Sequence, residues 1–490
     1  MIFKSGVILF AGKVLLTLIN LAAVLILARL LNPEAFGIIA LSQAIIVLCQ
    51  GALEASFGSF LIQRKKLSRK IEGNTCVITI VVGSLMTLSV FMGAPIIASK
   101  MAIPEVASTI RLLSITILFT SIYNTSYNMM LRNMRFKAVI ITELISIGFL
   151  RIGISIFLAV LGYSYWSVIV SIIAGTAVFM VLLLLLHPVK VFYKFNRQNT
   201  ISIIQFSTQV GVGNLMAMFA LKVDNFFLAN FQGPASLGFY SRAYSVVDLT
   251  SALLGSIFRT LILSGISDAN RKSEVAVQDS QNNFFIAHIG SLITIWPVAI
   301  TCLTAAPEIV MILLGDQWAN AVPLFQILSL GAFLRMGYKT SSSFNIAYGL
   351  VKKELYRISL YLLVMTTTTY IAAQISAELV AMAVIFSLLF NYVSLTLVTI
   401  SHLQIGKMIF TKIIAKQIFV IFLSGILSSI ICEYLRQIDA SDIYLVIVAM
   451  SLQIALVTTY VIVGSWKDEH LQSINIEVKS FFKGLQQKVC

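Results

Sequence analysis

Charge is what this chain lacks. Only 11% of its 490 residues are Asp, Glu, Lys or Arg, against roughly 25% in a soluble domain. So few charges cannot cover a water-facing surface, which excludes an ordinary soluble protein. Hydrophobic residues make up 58% and the mean hydropathy is +0.94, so lipid is the solvent for most of the length. Cysteine is sparse as well. Cys49, Cys76, Cys302, Cys432 and Cys490 share no metal-ligand spacing, and the first four lie in or beside apolar runs. They read as small buried hydrophobes and not as a disulfide framework. The histidines, His187, His288, His402 and His470, read as span-end or loop residues. No HExxH, GxSxG or GxxxxGK[ST] occurs, so the common catalytic and phosphate-loop signatures are missing. No catalytic residue, metal ligand or cofactor is assigned, and an enzyme is not expected.

What is present is a succession of long apolar runs. They fall at about 6–28, 36–60, 74–98, 109–130, 138–161, 163–187, 201–228, 237–265, 284–306, 320–348, 355–376, 379–401, 412–435 and 442–465. Each is long enough to cross a ~30 Å hydrocarbon core as a helix, the form that satisfies its own backbone hydrogen bonds. The reading is an all-α polytopic membrane protein with about fourteen transmembrane helices. The run Met1–Leu27 is too long for a signal-peptide core and reads as an uncleaved first span. Pro297 in one run, and Gly211 and Gly213 in another, predict kinked or closely packed helices. The longest outside link, around 307–320, is too short for a catalytic domain.

The net charge of +15 could indicate nucleic acid, but its placement argues otherwise. With the N-terminus inside, 24 of the 35 basic residues fall on inside segments, 4 on outside links and 7 within spans. Arg64, Lys65, Lys66, Arg69 and Lys70 form the densest inside group. This bias predicts that both termini are cytoplasmic. No nucleic-acid partner is needed.

The sequence also repeats. ARLLNPEAFG at 28–37 aligns with ANFQGPASLG at 229–238, a shift of 201 that also pairs Gly12 with Gly213 and Lys13 with Asn214. Ala94-Pro95 aligns with Ala306-Pro307. Leu113-Ser114 and Tyr123-x-Thr125-Ser126 align with Leu328-Ser329 and Tyr338-x-Thr340-Ser341, a shift of 215. The repeating unit is six spans, an even number, so both copies face the same way and form a parallel repeat. The predicted organisation is a six-helix lobe over 1–187, a cytoplasmic linker over 188–200 and a second six-helix lobe over 201–401. Two additional helices over 402–465 and a cytoplasmic tail over 466–490 complete it.

Ionisable groups inside spans cost at least ~2.5–3.5 kcal/mol at mid-helix and mark function or an interface. The basic ones are Lys13, Arg151, Lys222, Arg242, Arg259, Arg335 and Lys339, and the acidic ones Glu54, Glu143, Asp224 and Asp248. Lys13, Arg151, Arg242, Arg259, Arg335 and Lys339 are candidates for a cationic cavity. Glu54, Glu143, Asp224 and Asp248 are candidates for coupling or gating. The competing explanation is snorkelling of side chains near span ends. Arg335 and Lys339, at i and i+4, place two like charges on one helix face. They either line an anion site or are solvated at a span end. Asp224 and Arg242 flank the link between spans 7 and 8 and are expected to pair, as a structural bridge or as a gate. Glu143 with Arg151, and Asp248 with Arg259, lie nearly on shared faces and can line cavity walls without touching.

Several segments also resemble a known family: LARLLNPEAFGIIAL at 27–41, FGSFLIQRK at 57–65, LRNMRFKAVIITELIS at 131–146, DNFFLANFQGPASLGFYSRAY at 224–244 and LLGDQWANAVPLFQIL at 313–328. Together they are similar to the Wzx-type polysaccharide flippases of the multidrug/oligosaccharidyl-lipid/polysaccharide (MOP) superfamily, nearest the colanic-acid-like exopolysaccharide subgroup. EASFG at 54–58 departs from that family's Asp-Leu-Gly-Leu-Gly-like run. Glu54 keeps the acid and Ser56 replaces a glycine. The resemblance implies a two-lobed MATE-like fold in the bacterial inner membrane, working by alternating access. The implied cargo is an undecaprenyl-pyrophosphate-linked oligosaccharide, with proton or sodium coupling, and a polysaccharide polymerase and export machinery are the implied partners. Cationic side chains suit a pyrophosphate. The rival reading is a cation-coupled multidrug antiporter of the same superfamily, which favours an acidic cavity.

Overall fold

A computed structural model describes residues 2–64, 67–189, 197–271 and 277–464, with the side chains of 2–10, 198–199, 249–250, 252–271, 277–279, 351–352 and 355 outside the description. Lys65, Lys66, Lys190, Lys194, Lys272, His470 and the expected tail therefore lie outside the described residues, as does the side chain of Arg259.

Among the described residues there is no strand. The helices are α1 (Ile2–Leu30), α2 (Pro33–Gln63), α3 (Arg69–Met101), α4 (Glu105–Arg132), α5 (Phe136–Glu143), α6 (Arg151–Val160), α7 (Ser164–Leu186) and α8 (Arg197–Ala220). They continue as α9 (Val223–Arg271), α10 (Val277–Thr304), α11 (Ala306–Leu313), α12 (Val322–Ala347), α13 (Val351–Ala373), α14 (Ala377–His402), α15 (Lys407–Gln437) and α16 (Asp442–Gly464). Eleven spans pass a test of length and apolarity among these residues, or twelve if the bent pair around Leu221–Lys222 counts as one. Fourteen were expected. A helix lies at each expected place, but α13 carries Arg357 and the run Thr366–Thr369, which lower its hydropathy.

Three local features differ from the sequence reading. The span expected at 201–228 breaks at Leu221–Lys222 with a 40° bend, and not at Gly211, which packs against Ser56 of α2. Leu144–Leu150 winds as a π-helix between α5 and α6, a rare form that occurs mostly as a short interruption of a longer α-helix and frequently at functional sites. The expected outside link at 307–320 is structured. It holds α11 and a 3₁₀ turn (Asp316–Ala321) that buries Trp318 completely, because PEIVMILL is itself apolar.

The chain forms two compact units. The first comprises Met1–Ser241 with Thr369–Ala377, and the second Arg242–Thr368 with Glu378–Cys490. In the first, α4 lies between α2 and α3, and α8 lies along α2. Polar side chains stitch the α2–α4 seam. Ser42 meets Thr109 at 2.7 Å, Gln50 donates to Thr116 and Thr120 at 3.1 Å, and Asn124 donates to the Leu53 carbonyl at 3.3 Å. Such bonds replace the water that hydrocarbon cannot supply.

The repeat leaves a direct mark here. Asn32 caps α2 through the Ala35 N–H at 2.9 Å, with Pro33 opening the helix. At the matching place Gly233 takes φ +80°, a conformation that favours glycine, and Pro234 follows it. A Cβ added to Gly37 would lie 1.8 Å from the Pro234 carbonyl oxygen, and one added to Gly238 would lie 1.8 Å from that of Pro33. The two copies of the Pro-x-x-x-Gly motif thus grip each other reciprocally, backbone against glycine.

In the second unit, α12 meets α14 through Ser341–Thr396 and Asn345–Thr399, both at 3.0 Å. Helices α15 and α16 are fastened onto α10. The Trp296 indole N–H reaches Ser424 at 2.8 Å and Gln453 at 3.0 Å, and Thr304 meets Ser428 at 3.0 Å. At the end of α15, Arg436 forks onto Glu308 at 2.7 and 3.0 Å. His288, expected at a span end, is instead fully buried inside α10 beside Tyr392, at 2.9 Å.

Gly37→Val and Gly238→Val should each lower the thermal midpoint of the purified protein, at a cost of about 1–3 kcal/mol or more from overpacking. Gly93→Val, whose Cβ would meet nothing within 4 Å, should be close to neutral. Size-exclusion profiles after graded heating compare the three.

Candidate functional site

Polar and charged groups gather in two places, one in each copy of the repeat. In the first copy, α1, α2, α4 and α5 each contribute. Lys13 of α1 places its ammonium 2.8 and 2.7 Å from the two oxygens of Glu143, the last residue of α5. The Glu143 side chain is 6% exposed and that of Lys13 51%, so the cation compensates a buried carboxylate. Tyr127 donates to the same carboxylate at 3.4 Å. One helical turn away, the Tyr123 hydroxyl donates to Glu54 of α2 at 3.0 Å. The π-helix begins directly after Glu143 and ends directly before Arg151. Arg151 is half-buried, its stem packed against Gly175 of α7, where a Cβ would lie 2.8 Å from the Arg151 Cβ. Glu143 thus faces Lys13, not the Arg151 eight residues away.

In the second copy the charge lies on α12. Arg335 is 2% exposed, its Nε 3.8 Å from Asp248 of α9 and its guanidinium 4.5 Å above the Tyr244 ring. Cation–π contact of this kind stabilises a desolvated guanidinium. Lys339, one turn on and half-buried, donates to the Ser251 carbonyl at 3.4 Å. Asp248 is 42% exposed.

The second cluster has its counterpart in the α2–α4 seam of the first copy. At the shift of 215, Arg335 and Lys339 fall on Thr120 and Asn124, and at the shift of 201 Ser251 falls on Gln50. In the first copy these three positions are neutral: Gln50 bonds Thr120, and Asn124 bonds a backbone carbonyl. In the second, two of them are cationic. Lys13 is replaced at the matching place by Asn214, which donates to the Gly51 carbonyl at 2.7 Å. The repeat is therefore symmetric in packing and asymmetric in charge.

The remaining candidates sit around Gly233. Asp224, in the first turn of α9, is 1% exposed and accepts from the Tyr240 hydroxyl and from the Asn225 N–H. Arg242 lies beyond Gly233 and is half-buried. Tyr127, Tyr240, Tyr244 and Gln50 were not singled out in the sequence. A signal existed for the first: SIYNTSYN within α4 places Tyr123 and Tyr127 at i and i+4 in a span unusually rich in hydroxyls and amides.

Long apolar helices in a repeated arrangement, with charges held on facing helices, define a multi-pass membrane protein. Comparison with known proteins agrees. The sequence matches the polysaccharide biosynthesis protein family over residues 26–323, more than half of its length, and the chain belongs to that family. It is similar to the teichuronic acid biosynthesis protein TuaB of Bacillus subtilis, 22% identical over 347 residues and 70% of each chain. It is also similar to the succinoglycan biosynthesis transport protein ExoT of Rhizobium meliloti, 22% identical over 62% of this chain and 61% of that one. The lipopolysaccharide biosynthesis protein WzxC of Escherichia coli is 20% identical over 65% of this chain and 64% of that one. The match thus spans under two thirds of the latter two relatives. Among solved structures, the lipid II flippase MurJ in an inward closed conformation aligns with a TM-score of 0.75 at 14% identity, covering 92% of this chain and 98% of that one. An inward-facing multidrug resistance MATE transporter of the MOP superfamily aligns at 0.66 and 13%, covering 79% and 94%. The fold is that of the MOP superfamily.

A double-mutant cycle checks the first cluster. Lys13→Met leaves Glu143 buried without its cation and should destabilise more than the pair Lys13→Met with Glu143→Gln. The expected coupling is about 0.5–3 kcal/mol, read as shifts of the thermal midpoint.

Proposed function

We propose that this protein is a flippase that moves an undecaprenyl-pyrophosphate-linked oligosaccharide repeat unit from the cytoplasmic to the outer leaflet, for cell-surface polysaccharide synthesis. The observation that carries the proposal is the α12 face. Arg335 and Lys339 lie one turn apart, and Asp248 brings one negative charge to two positive ones. Repulsion within that pair falls when an anion binds, and a pyrophosphate offers oxygens to both. Family membership and the relatives' roles in teichuronic acid, succinoglycan and lipopolysaccharide synthesis support the cargo class.

The mechanism proposed is alternating access between the two six-helix copies, with both termini cytoplasmic. The reciprocal contact of Pro33 with Gly238 and Gly37 with Pro234 lies at the end that the charge count assigns to the outside. Its release would open that end. Glu54 and Glu143, two acids beside one lysine, are the proposed place for a coupling proton or sodium ion. A polymerase and export machinery would take the product on the outer face. The multidrug antiporter reading draws on the same acid pair. The cationic second seam disfavours it, because a cationic drug would be repelled there.

Deleting the gene should cause lipid-linked repeat units to accumulate in the membrane, with loss of surface glycan. Arg335→Ala and Lys339→Ala, expressed at wild-type levels in that strain, should each cut glycan export by about tenfold or more, the loss of one charge-assisted contact of at least 1.4 kcal/mol. Full export by both variants would refute the anion site. Restored drug resistance without restored glycan would favour the antiporter.

A further inference from the structure

An elongated cavity of about 530 Å³ lies in the second unit between α10, α12 and α15. Its floor is buried, with Leu292 and Ile300 of α10, while Ile418, Phe422 and Ile430 of α15 are 60%, 64% and 61% exposed at its rim. It is a groove open to the side. One wall residue is out of place. Gln417 is 3% exposed, lines the cavity, and neither its amide nitrogen nor its amide oxygen has a hydrogen-bond partner among the described residues. A buried amide without a partner costs roughly 1–3 kcal/mol, so a groove built for hydrocarbon alone would not carry one.

The ends of the groove differ. Beyond Ile430, Arg436 and Glu308 bridge α15 to α11, their charges satisfied by each other. At the other end α15 begins with exposed Lys407 and Lys412. Lys407 precedes Ile414 by seven residues, about two turns, and so lies on the groove face. Lys412, five residues before Gln417 and about 140° round the helix from it, borders the groove at its rim, on the azimuth of Ile430 five full turns away. Helical side chains lean toward their own N-terminus, which carries the Gln417 amide toward the lysines. Polarity therefore runs one way along the groove: cations, then an amide, then a thirteen-residue stretch lined by Ile418, Ile421, Phe422, Ile426 and Ile430, with the Ser429 hydroxyl bonded back to the Gly425 carbonyl. At 1.5 Å per residue that wall is about 20 Å long, against ~15 Å for half of a hydrocarbon core.

We propose that this groove binds one anionic glycerophospholipid of the surrounding bilayer. The phosphate lies against Lys412 and Lys407, an ester carbonyl accepts from the Gln417 amide, and one acyl chain lies along α15. The order of groups in such a lipid matches the order along the helix. The bound lipid would tie α15 to α10 and α12, stabilising the C-terminal helices against the rest of the unit. The assignment is independent of the transported cargo, since it concerns binding to the resting protein.

Native mass spectrometry of delipidated protein, titrated with dioleoyl-phosphatidylglycerol and separately with dioleoyl-phosphatidylcholine, tests it. Wild type should take up one phosphatidylglycerol at a concentration several-fold below that for phosphatidylcholine. Gly425→Leu fills the groove: its Cβ has free room, the nearest atom being Ile300 at 3.8 Å, so the fold should persist. This variant should weaken binding by about tenfold. Gln417→Leu should weaken binding while leaving the thermal midpoint in lipid-free detergent equal or higher, because its amide has no partner to lose among the described residues. The pair Lys407→Glu with Lys412→Glu should erase the headgroup preference. Equal uptake of the two lipids by wild type, unchanged binding in Gly425→Leu, or complete displacement of phosphatidylglycerol by a polyprenyl phosphate at equal concentration would each overturn the proposal.

Discussion

Hydrocarbon offers no hydrogen-bond partner, and that constraint shapes this molecule at every level. It forces the backbone into helices and then governs what the polar side chains do. Threonine, serine and asparagine of α4 are turned onto α2, those of α12 onto α14, and Trp296 and Thr304 of α10 onto α15 and α16. Each bond is modest, but the alternative is a bare polar group in lipid, so the seams have little freedom to slide. The same constraint makes Gln417 informative, because its buried amide has no partner among the described residues.

Charge is handled by the same logic at higher stakes. Glu143 is buried because Lys13 reaches it with both oxygens in range, and Arg335 is buried because Asp248 and the Tyr244 ring face it. The two copies of the repeat solve the packing problem alike, down to the exchange of glycine and proline backbone between Gly37, Pro234, Gly238 and Pro33. They differ in charge. The seam that is Thr120 and Asn124 in one copy is Arg335 and Lys339 in the other. Duplication supplied the scaffold, and divergence at a few inward positions supplied the polarity.

Membrane residence, the helical class and the repeat were legible because they rest on composition and spacing, which survive without coordinates. The family was legible from segments such as LARLLNPEAFGIIAL and DNFFLANFQGPASLGFYSRAY. The acids and bases inside spans were legible as exceptions, since each stands out against an apolar run. Their partners were not. Glu143 was expected to line a wall with Arg151 without touching it, and the contact it makes is with Lys13, 130 residues away in the chain. Asp248 faces Arg335, a contact that spacing along α9 did not announce, and the side chain of Arg259 lies outside the described residues. The break at Leu221–Lys222 carries no proline or glycine to announce it, and the π-helix after Glu143 has only Gly148, which does not by itself mark one.

By itself, then, the sequence determined the solvent, the element type and which residues would be expensive to bury, because those follow from each residue and its near neighbours. Only the tertiary structure decided which charge meets which, which glycine admits a neighbouring backbone, and where a groove with one polar end would lie. Those depend on the azimuth and depth of helices far apart in the chain, and a register change of one residue rotates a helical side chain by about 100°.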